Sequence, residues 1–130
     1  MTTLITGGTG YIGSHIVYSL VKRGDSVIVV DNLSRSKKIT LEKIQELTKK
    51  CIQFHKVDIN DYNKLEKVFQ ENEIKNVIHV AGFKSVSESV IKPSDYMKNN
   101  YQGSINLFEV MNKHKVYELI FSSSATVYGE

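Results

Sequence analysis

A glycine-rich segment near the start of the chain carries the first pattern with chemical meaning. It runs Thr6-Gly7-Gly8-Thr9-Gly10-Tyr11-Ile12-Gly13 and fits both G-x-G-x-x-G and G-x-x-G-x-x-G. Glycines at these spacings permit a tight turn, let backbone approach a pyrophosphate and let a helix pack on a strand. A helix that begins here points free N–H groups and a partial positive charge at phosphates. We therefore predict a dinucleotide-binding turn rather than a merely flexible one. It is not a Walker loop, because Ser14 stands where lysine is required.

Asp31 ends the second β-rich run of the chain. A carboxylate at this place accepts hydrogen bonds from an adenosine ribose 2′-OH and repels a 2′-phosphate, which favours NAD over NADP. The alternative is that Asp31 only caps the loop after the strand. The basic residues Arg35, Lys37 and Lys38 follow closely and are able to tolerate a phosphate.

Two further polar residues follow β-rich runs. Asp58 is suited to accept a hydrogen bond from the adenine amino group, with Ile59 beside the ring, but a plain turn aspartate explains it equally well. Ser124 follows the fifth run, at the end of a sheet where ligands bind in open α/β folds. Its alternative role is to satisfy backbone groups at the strand end.

Five short β-rich runs alternate with stretches of helical spacing. The runs are Thr3–Thr6, Ser26–Val30, Ile52–Val57, Asn76–Val80 and Leu119–Ser122. Alternation of this kind produces right-handed crossovers and a parallel sheet that is covered on both faces. The fold class we predict is α/β, a Rossmann-like doubly wound parallel sheet of strand order 3-2-1-4-5, truncated after the fifth strand.

Apolar stripes mark the predicted helices. They are Ile12, Ile16 and Leu20; Leu41, Ile44 and Leu47; Leu65, Val68 and Phe69; and Met97, Tyr101, Ile105 and Phe108. Gly24 suits the left-handed end of the first helix, Asp61 the N-cap of the third and Pro93 the first turn of the fourth. We expect the fourth helix to span Pro93–His114.

Composition bounds the class of protein. The length of 130 residues predicts one domain, in which 41% of the residues are hydrophobic and 24% are charged. The net charge is +3, and the lysines and arginines are scattered along the chain, so the sequence does not suggest nucleic-acid binding. The lone Cys51, expected to be buried and inert, rules out an internal disulfide framework and fits a reducing compartment. No apolar run reaches bilayer length and no signal peptide is visible, so we expect a cytoplasmic protein without a membrane partner. The four histidines lack metal-ligand spacing, so no metal is predicted, and His79 is interpreted as a hydrogen-bonded core residue.

Segments throughout the chain resemble the UDP-glucose 4-epimerases of the extended short-chain dehydrogenase/reductase superfamily. The superfamily opening T-G-x-x-G-x-x-G is matched from Thr6 to Gly13. The more specific segments are Tyr11-Ile12-Gly13-Ser14-His15, Asp31-Asn32-Leu33-Ser34, Val77-Ile78-His79-Val80-Ala81-Gly82-Phe83-Lys84, Ser87-Glu88-Ser89-Val90, Asn99-Asn100 and Ser122-Ser123-Ser124-Ala125-Thr126-Val127-Tyr128-Gly129. They stand in the family's order and spacing. Val80 and Phe83 depart from the aromatic residue and the leucine that are common there, and both keep apolar character.

The resemblance implies a reaction and its site. A tightly held NAD accepts hydride from C4 of a UDP-hexose, the 4-keto sugar rotates, and hydride returns to the other face, which interconverts UDP-glucose and UDP-galactose. The implied cofactor contacts are Gly7, Gly10, Tyr11, Ile12, Gly13, Asp31, Asn32, Leu33, Ser34, Arg35, Ser36, Asp58, Ile59, Val80, Ala81, Gly82, Phe83, Lys84, Asn99 and Ser124. The implied catalytic residues are Ser124, which resembles the serine that bonds the reacting sugar hydroxyl, and Thr126 beside it. The resemblance also implies a homodimer, for which the helix Pro93–His114 is a candidate surface.

The family's general base, the tyrosine of a Tyr-x-x-x-Lys pair after the serine, has no counterpart here. The spacing occurs as Tyr18 and Lys22, which we reject because it lies on the first helix, away from the phosphate end. We therefore expect an NAD-binding portion, residues 1–130, without the later strands and substrate domain. On its own it is expected to bind NAD weakly or not at all and not to turn over sugar. Two alternatives stay open: a non-catalytic module that binds NAD or UDP-sugar, and one half of a split enzyme.

Overall fold

Five parallel strands form one sheet in the order β3-β2-β1-β4-β5, which confirms the predicted fold class. The computed structural model describes residues 2–129, and of residues 125 and 126 it describes the backbone alone. The strands are β1 (Thr2–Thr6), β2 (Ser26–Asp31), β3 (Gln53–Lys56), β4 (Asn76–His79) and β5 (Glu118–Phe121). The helices are α1 (Tyr11–Arg23), α2 (Ile39–Thr48), α3 (Tyr62–Glu71), α4 (Val86–Ile91), α5 (Pro93–Tyr96) and α6 (Gly103–Lys113), with a π-helical segment at Met97–Gln102 and a 3₁₀ turn at Ala125–Tyr128.

Alternation along the strands divides the core between the two faces of the sheet. Leu4 packs with α3 and α6 on one face, and its neighbour Ile5 packs with α1 and α2 on the other. Both side chains are fully buried. Successive strand residues point to opposite faces, so strands that are apolar at nearly every position must be covered on both sides. The two helical layers hold the strand ends, and the loops that follow them, in fixed positions.

The helix ends confirm the residues predicted to cap them. Gly24 ends α1 in the left-handed region, at a φ of 106°, and its N–H donates to the carbonyls of Leu20 and Val21. Asp61 caps α3 by accepting a hydrogen bond from the backbone N–H of Lys64. Pro93 opens α5, where its missing N–H costs no helical hydrogen bond.

The segment predicted as one helix over Pro93–His114 is divided, and the buried face differs from the predicted stripe. The π-helical turns at Met97–Gln102 widen the helix between α5 and α6. The side chains before and after this segment therefore do not follow one continuous helical stripe. Met97 and Tyr101 are each 61% exposed, whereas Leu107 and Val110 of α6 are fully buried. The predicted stripe lies mostly on the outer side.

The predicted burial of Cys51 is wrong, and two residues of the apolar stripes are exposed. Ile12 is exposed, because α1 turns Gly13, Val17 and Val21 toward the sheet. Leu47 is exposed near the end of α2, beyond the part of that helix that reaches the core. Cys51 is exposed rather than buried, since it lies in the loop before β3 begins.

Strand β5 presents an uncovered apolar surface. Ile120 is 65% exposed and Phe121 is 50% exposed. An exposed apolar patch of this kind is typical of surfaces that bind protein, ligand or membrane, or that aggregate.

Candidate functional site

A cleft of about 340 Å³ lies at the carboxyl ends of the central strands. Thr6, the last residue of β1, pairs with Val30 of β2 on one side and with His79 of β4 on the other. The loops after these three strands therefore begin side by side. The cleft is lined by Gly7, Gly10, Tyr11, Ile12, Gly13, Val30, Asp31, Asn32, Ser34, Arg35, Ser36, Val57, Ile59, Val80, Ala81, Gly82, Phe83, Lys84, Ser85, Glu88, Tyr96 and Asn99.

The glycine turn occupies the floor of this cleft, and two of its glycines are required by contact. Gly7 has a φ of 72°, and a Cβ there would lie 2.8 Å from the backbone N and Cα of Ala81. A Cβ on Gly13 would collide with the carbonyl oxygen of Gly7. The turn thus brings the start of α1 close to the loop after β4. Gly10 precedes α1 without a side-chain cap, which leaves the first N–H groups of the helix available to a ligand, and Tyr11, Ile12 and Gly13 of that turn line the cleft.

Asp31 lies 9% exposed at the end of β2, where its carboxylate is held by three donors. Oδ2 accepts from the backbone N–H of Thr9, while Oδ1 accepts from the backbone N–H of Leu33 and the hydroxyl of Ser36. The loop cap that the sequence left as an alternative is therefore present. A carboxylate oxygen accepts more than one hydrogen bond, so Asp31 at the cleft wall keeps acceptor capacity for a hydroxyl.

Asp58 is engaged with its own turn rather than lining the cleft. Its carboxylate accepts from the backbone N–H and the amide of Asn60 and from the amide of Asn32. Partial burial alone would raise the pKa of Asp58, but these hydrogen bonds outweigh it, and the pKa lies below its ordinary value. The ionised carboxylate thereby ties the loop after β2 to the loop after β3. The apolar neighbours Val57 and Ile59 line the cleft instead.

A buried hydrogen-bond chain fixes the loop after β4. The backbone N–H of Ala81 donates to Oγ1 of Thr6, whose hydroxyl pairs with Nδ1 of His79 at 2.6 Å. On the other side of the ring, Nε2 of His79 pairs with Oγ of Ser104, which donates to the carbonyl of Asn100. Burial lowers the pKa of His79 to about 4, so the ring is neutral at physiological pH. The prediction of a hydrogen-bonded core histidine is confirmed.

One rim of the cleft contains an ion pair between loops that are distant in sequence. Arg35, in the loop after β2, contacts Oε1 of Glu88 on α4 at 2.8 Å. The guanidinium also lies 4.5 Å from the ring centre of Phe83. Oε2 of Glu88 accepts from the hydroxyl of Tyr96. The pair joins the two walls of the cleft.

The structure brings together all but three of the residues predicted to contact a cofactor. Leu33 donates its backbone N–H to Asp31, and Asp58 accepts a hydrogen bond from Asn32, but neither lines the cleft. Ser124 follows β5 as an exposed residue that does not line the cleft. The side chain of Thr126 lies outside the described residues. The predicted roles of Ser124 and Thr126 stay predictions.

Sequence analysis missed five residues of the lining, namely Val30, Val57, Ser85, Glu88 and Tyr96. One signal pointed to two of them. Ser85-Val86-Ser87-Glu88 is a capping-box pattern, and Ser85 accepts a hydrogen bond from the N–H of Glu88 at the start of α4. The other residues enter the cleft through tertiary packing alone.

Residues 2–129 also bear on a metal site and on a membrane span. No cluster of three or more histidine, cysteine, aspartate or glutamate side chains is placed to hold a metal ion in that range. In the same part of the chain, every helix is too short or too polar to cross a bilayer.

The sheet, the crossovers and the glycine turn define a Rossmann-type α/β protein. The family model described as GDP-mannose 4,6 dehydratase matches residues 4–130, and the chain belongs to that family.

Individual relatives are UDP-glucose 4-epimerases. The chain is 50% identical to UDP-glucose 4-epimerase uge1 of Schizosaccharomyces pombe over 99% of its own length and 36% of the relative's. The structure of the Bifidobacterium longum UDP-glucose 4-epimerase in complex with NAD+ and UDP superposes with a TM-score of 0.97 at 46% identity, over 99% of this chain and 38% of that one. The UDP-Glc/GlcNAc 4-epimerase of Campylobacter jejuni superposes with a TM-score of 0.94 at 34% identity, over 99% of this chain and 39% of that one. The chain thus spans little more than a third of the length of these relatives.

Proposed function

We propose that residues 1–130 form the NAD-binding portion of a UDP-glucose 4-epimerase. The observation that carries the proposal is the meeting of the glycine turn and the Asp31 carboxylate in one cleft at the ends of β1 and β2. A turn without side chains suits a pyrophosphate, and an acidic residue at the end of the second strand suits an unphosphorylated ribose. The Bifidobacterium longum relative, similar over nearly all of this chain, was crystallised with NAD+.

The cleft fits the parts of a dinucleotide in order. The N–H groups at the start of α1 would hold the pyrophosphate, and Asp31 would accept from the adenosine ribose. Val57 and Ile59 supply an apolar wall for the adenine. The loop from Val80 to Lys84, with Asn99 beside it, would hold the nicotinamide half, and the Lys84 ammonium would supply positive charge there.

The proposed substrate is a UDP-hexose, UDP-glucose or UDP-galactose. Bound NAD supplies a hydride acceptor and donor for C4 of the sugar. Ser124 would orient the sugar hydroxyl by hydrogen bonding, with Thr126 beside it. A serine is a poor base without a partner to take its proton. The Tyr18 and Lys22 side chains lie together on α1, with Nζ 5.6 Å from the ring centre, and do not line the cleft. We therefore propose that this chain alone does not epimerise sugar.

A second candidate function, one half of a split enzyme, is favoured by the exposed apolar surface of β5. Leu119, Ile120 and Phe121 all carry substantial exposed area. A second polypeptide that continues the sheet would cover them. Addition of such a polypeptide would restore epimerase activity if this candidate is right. A non-catalytic sensor would bind NAD or UDP-sugar and stay inactive.

Two finer points belong to the same proposal. The exposed side chains of Met97, Tyr101 and Phe108 support a homodimer through the segment Pro93–His114. The single cysteine supports a cytoplasmic location, because disulfide-poor proteins are typical of reducing compartments.

The proposal is tested by titrating NAD and NADP into the whole gene product that contains this chain, by calorimetry. We expect NAD to bind and NADP to bind more weakly. The same preparation is then assayed for conversion of UDP-galactose. Absence of NAD binding would refute the proposal. Steady conversion of UDP-galactose by the 130-residue chain alone would refute the statement that this chain is inactive by itself.

A further inference from the structure

The loop after β2 carries three basic residues, but only one of them lines the cleft. Arg35 lines the cleft, as Asp31 does, whereas Lys37 and Lys38 do not. Nζ of Lys38 lies instead 5.7 Å from the ring centre of Phe54. In dinucleotide-binding folds, an arginine near the end of the second strand is the group that accommodates a 2′-phosphate. Arg35 is therefore the residue of this loop that is placed to bind NADP.

The Arg35 guanidinium is already occupied. It lies 2.8 Å from Oε1 of Glu88 and stacks over Phe83 at 4.5 Å. The hydrogen bond from Arg35 lowers the pKa of Glu88, so the carboxylate is ionised at neutral pH. The positive charge that a phosphate would require is thus matched by a fixed negative one.

The Glu88 side chain departs from the role its position predicts. In a capping box the glutamate returns to the backbone N–H of the N-cap residue. Here the N–H of Ser85 donates to the hydroxyl of Tyr96 instead. Tyr96 also donates to Oε2 of Glu88, and Nζ of Lys92 lies 3.9 Å from Oε1. Tyr96 thus substitutes for Glu88 at the helix cap, and Oε1 of the carboxylate is directed to Arg35.

We propose that Glu88 is a specificity-determining residue, which selects NAD over NADP by holding Arg35 away from a 2′-phosphate. Asp31 repels the phosphate directly, and Glu88 removes the cation that would offset that repulsion. This inference rests on the proposed NAD-binding function and adds a second, distant residue to cofactor choice.

The test compares dissociation constants for NAD and NADP in the whole gene product and three variants. Glu88→Gln removes the charge and keeps the size of the side chain. We expect it to lower the ratio of the NADP constant to the NAD constant roughly fivefold, the scale of an exposed ion pair. The double variant Glu88→Gln with Arg35→Ala should return the ratio to near the wild-type value, because the gain requires the freed guanidinium. Glu73→Gln is the matched control, since it makes the same charge change in an exposed ion pair, with Lys75, that does not line the cleft.

Each outcome separates the inference from the proposed function. If Glu88→Gln weakens both dinucleotides equally, the ion pair only holds the cleft walls together and the inference is wrong. If Glu73→Gln shifts the ratio as much as Glu88→Gln does, the change in net charge rather than the release of Arg35 is responsible, and the inference is again wrong. If the wild-type protein binds neither dinucleotide, the proposed function fails and the inference with it.

Discussion

The side-chain amide of Asn100 pairs with both backbone groups of Phe83. The N–H of Phe83 donates to Oδ1 of Asn100 at 2.8 Å, and Nδ2 of Asn100 donates to the carbonyl of Phe83 at 2.9 Å. Asn100, in the π-helical segment, thus hydrogen-bonds to the loop after β4 in the way that a neighbouring strand would. The loop after β4, which we propose holds the nicotinamide half of NAD, is fixed from outside the cleft, because Asn100 does not line it.

Asn100→Ala should therefore loosen this loop. Two partly buried backbone groups of Phe83 lose their partner, which costs about 1–3 kcal/mol of folding stability. Amide hydrogen exchange at Phe83 and a denaturant titration measure the effect. Asn63→Ala, at an exposed position of α3, is the control and should change neither. Unchanged exchange at Phe83 would show that the loop is held by other contacts.

Gly7→Ala should abolish dinucleotide binding, whereas Gly24→Ala should not. Both glycines have a positive φ, so both substitutions add left-handed strain of about 1–2 kcal/mol. Only at Gly7 would the added Cβ also meet the backbone of Ala81, 2.8 Å away, while at Gly24 it would meet only the end of the Lys50 side chain at 3.6 Å. Thermal denaturation and NAD titration separate the two effects. Equal loss of binding in both variants would mean that strain, not the close approach, is what matters.

Asp31→Asn should weaken NAD binding roughly 10- to 100-fold, the loss expected for hydrogen bonds to a charged group. It should also narrow the difference between NAD and NADP, because the charge that repels a 2′-phosphate is gone. Calorimetric titration with both dinucleotides measures the two effects. Asp25→Asn is the matched control, since Asp25 precedes the opposite end of the same strand and pairs with Arg23. A wild-type preference for NAD that persists in Asp31→Asn would exclude this role.

Folding stability should decrease as pH falls below about 6.5 because of His79. Burial lowers its pKa from 6.5 to about 4, so the unfolded chain binds a proton in this interval that the folded chain does not. The stabilising effect is therefore complete above the unfolded pKa and is lost as pH falls toward the folded one. The loss is about 3 kcal/mol at most.

The measurement for His79 is denaturant unfolding between pH 7 and about 4.5. At the acidic end of this interval, carboxylates whose pKa is lowered by ion pairs, such as Glu66 and Glu88, also lose stabilisation, so the effect of His79 is taken from the difference between variants. His79→Gln should flatten the dependence, and His15→Gln, at an exposed position, should leave it intact. An identical slope in His79→Gln would assign the effect to other groups.

Local chemistry explains why many features were predictable. Gly24 and Asp61 cap their helices through contacts with backbone groups a few residues away, so the nearby sequence is enough to predict them. The strand order follows from the alternation of strands and helices, since handed crossovers leave few arrangements. Asp31 and the glycine turn could be placed at the cleft from sequence because both follow the end of a strand.

The burial of individual side chains was harder to predict, because tertiary packing determines which apolar residues of a helix or loop are covered. Cys51 and Leu47 are apolar residues at positions that the neighbouring layer does not reach. The π-helical segment turned Met97 and Tyr101 outward, because one wide turn changes which side of a helix meets the sheet. Spacing within a helix defines a stripe but does not state which stripe is covered.

The sequence by itself determined the sheet order, the helix caps, the glycine turn and the acidic residue at the end of β2, because each depends on residues close together in the chain. Tertiary structure alone decided that Arg35 meets Glu88, that Asn100 holds Phe83 and that His79 links Thr6 to Ser104. These pairs lie far apart in sequence, and no local pattern encodes a contact that exists only when the sheet brings separate loops to the same edge.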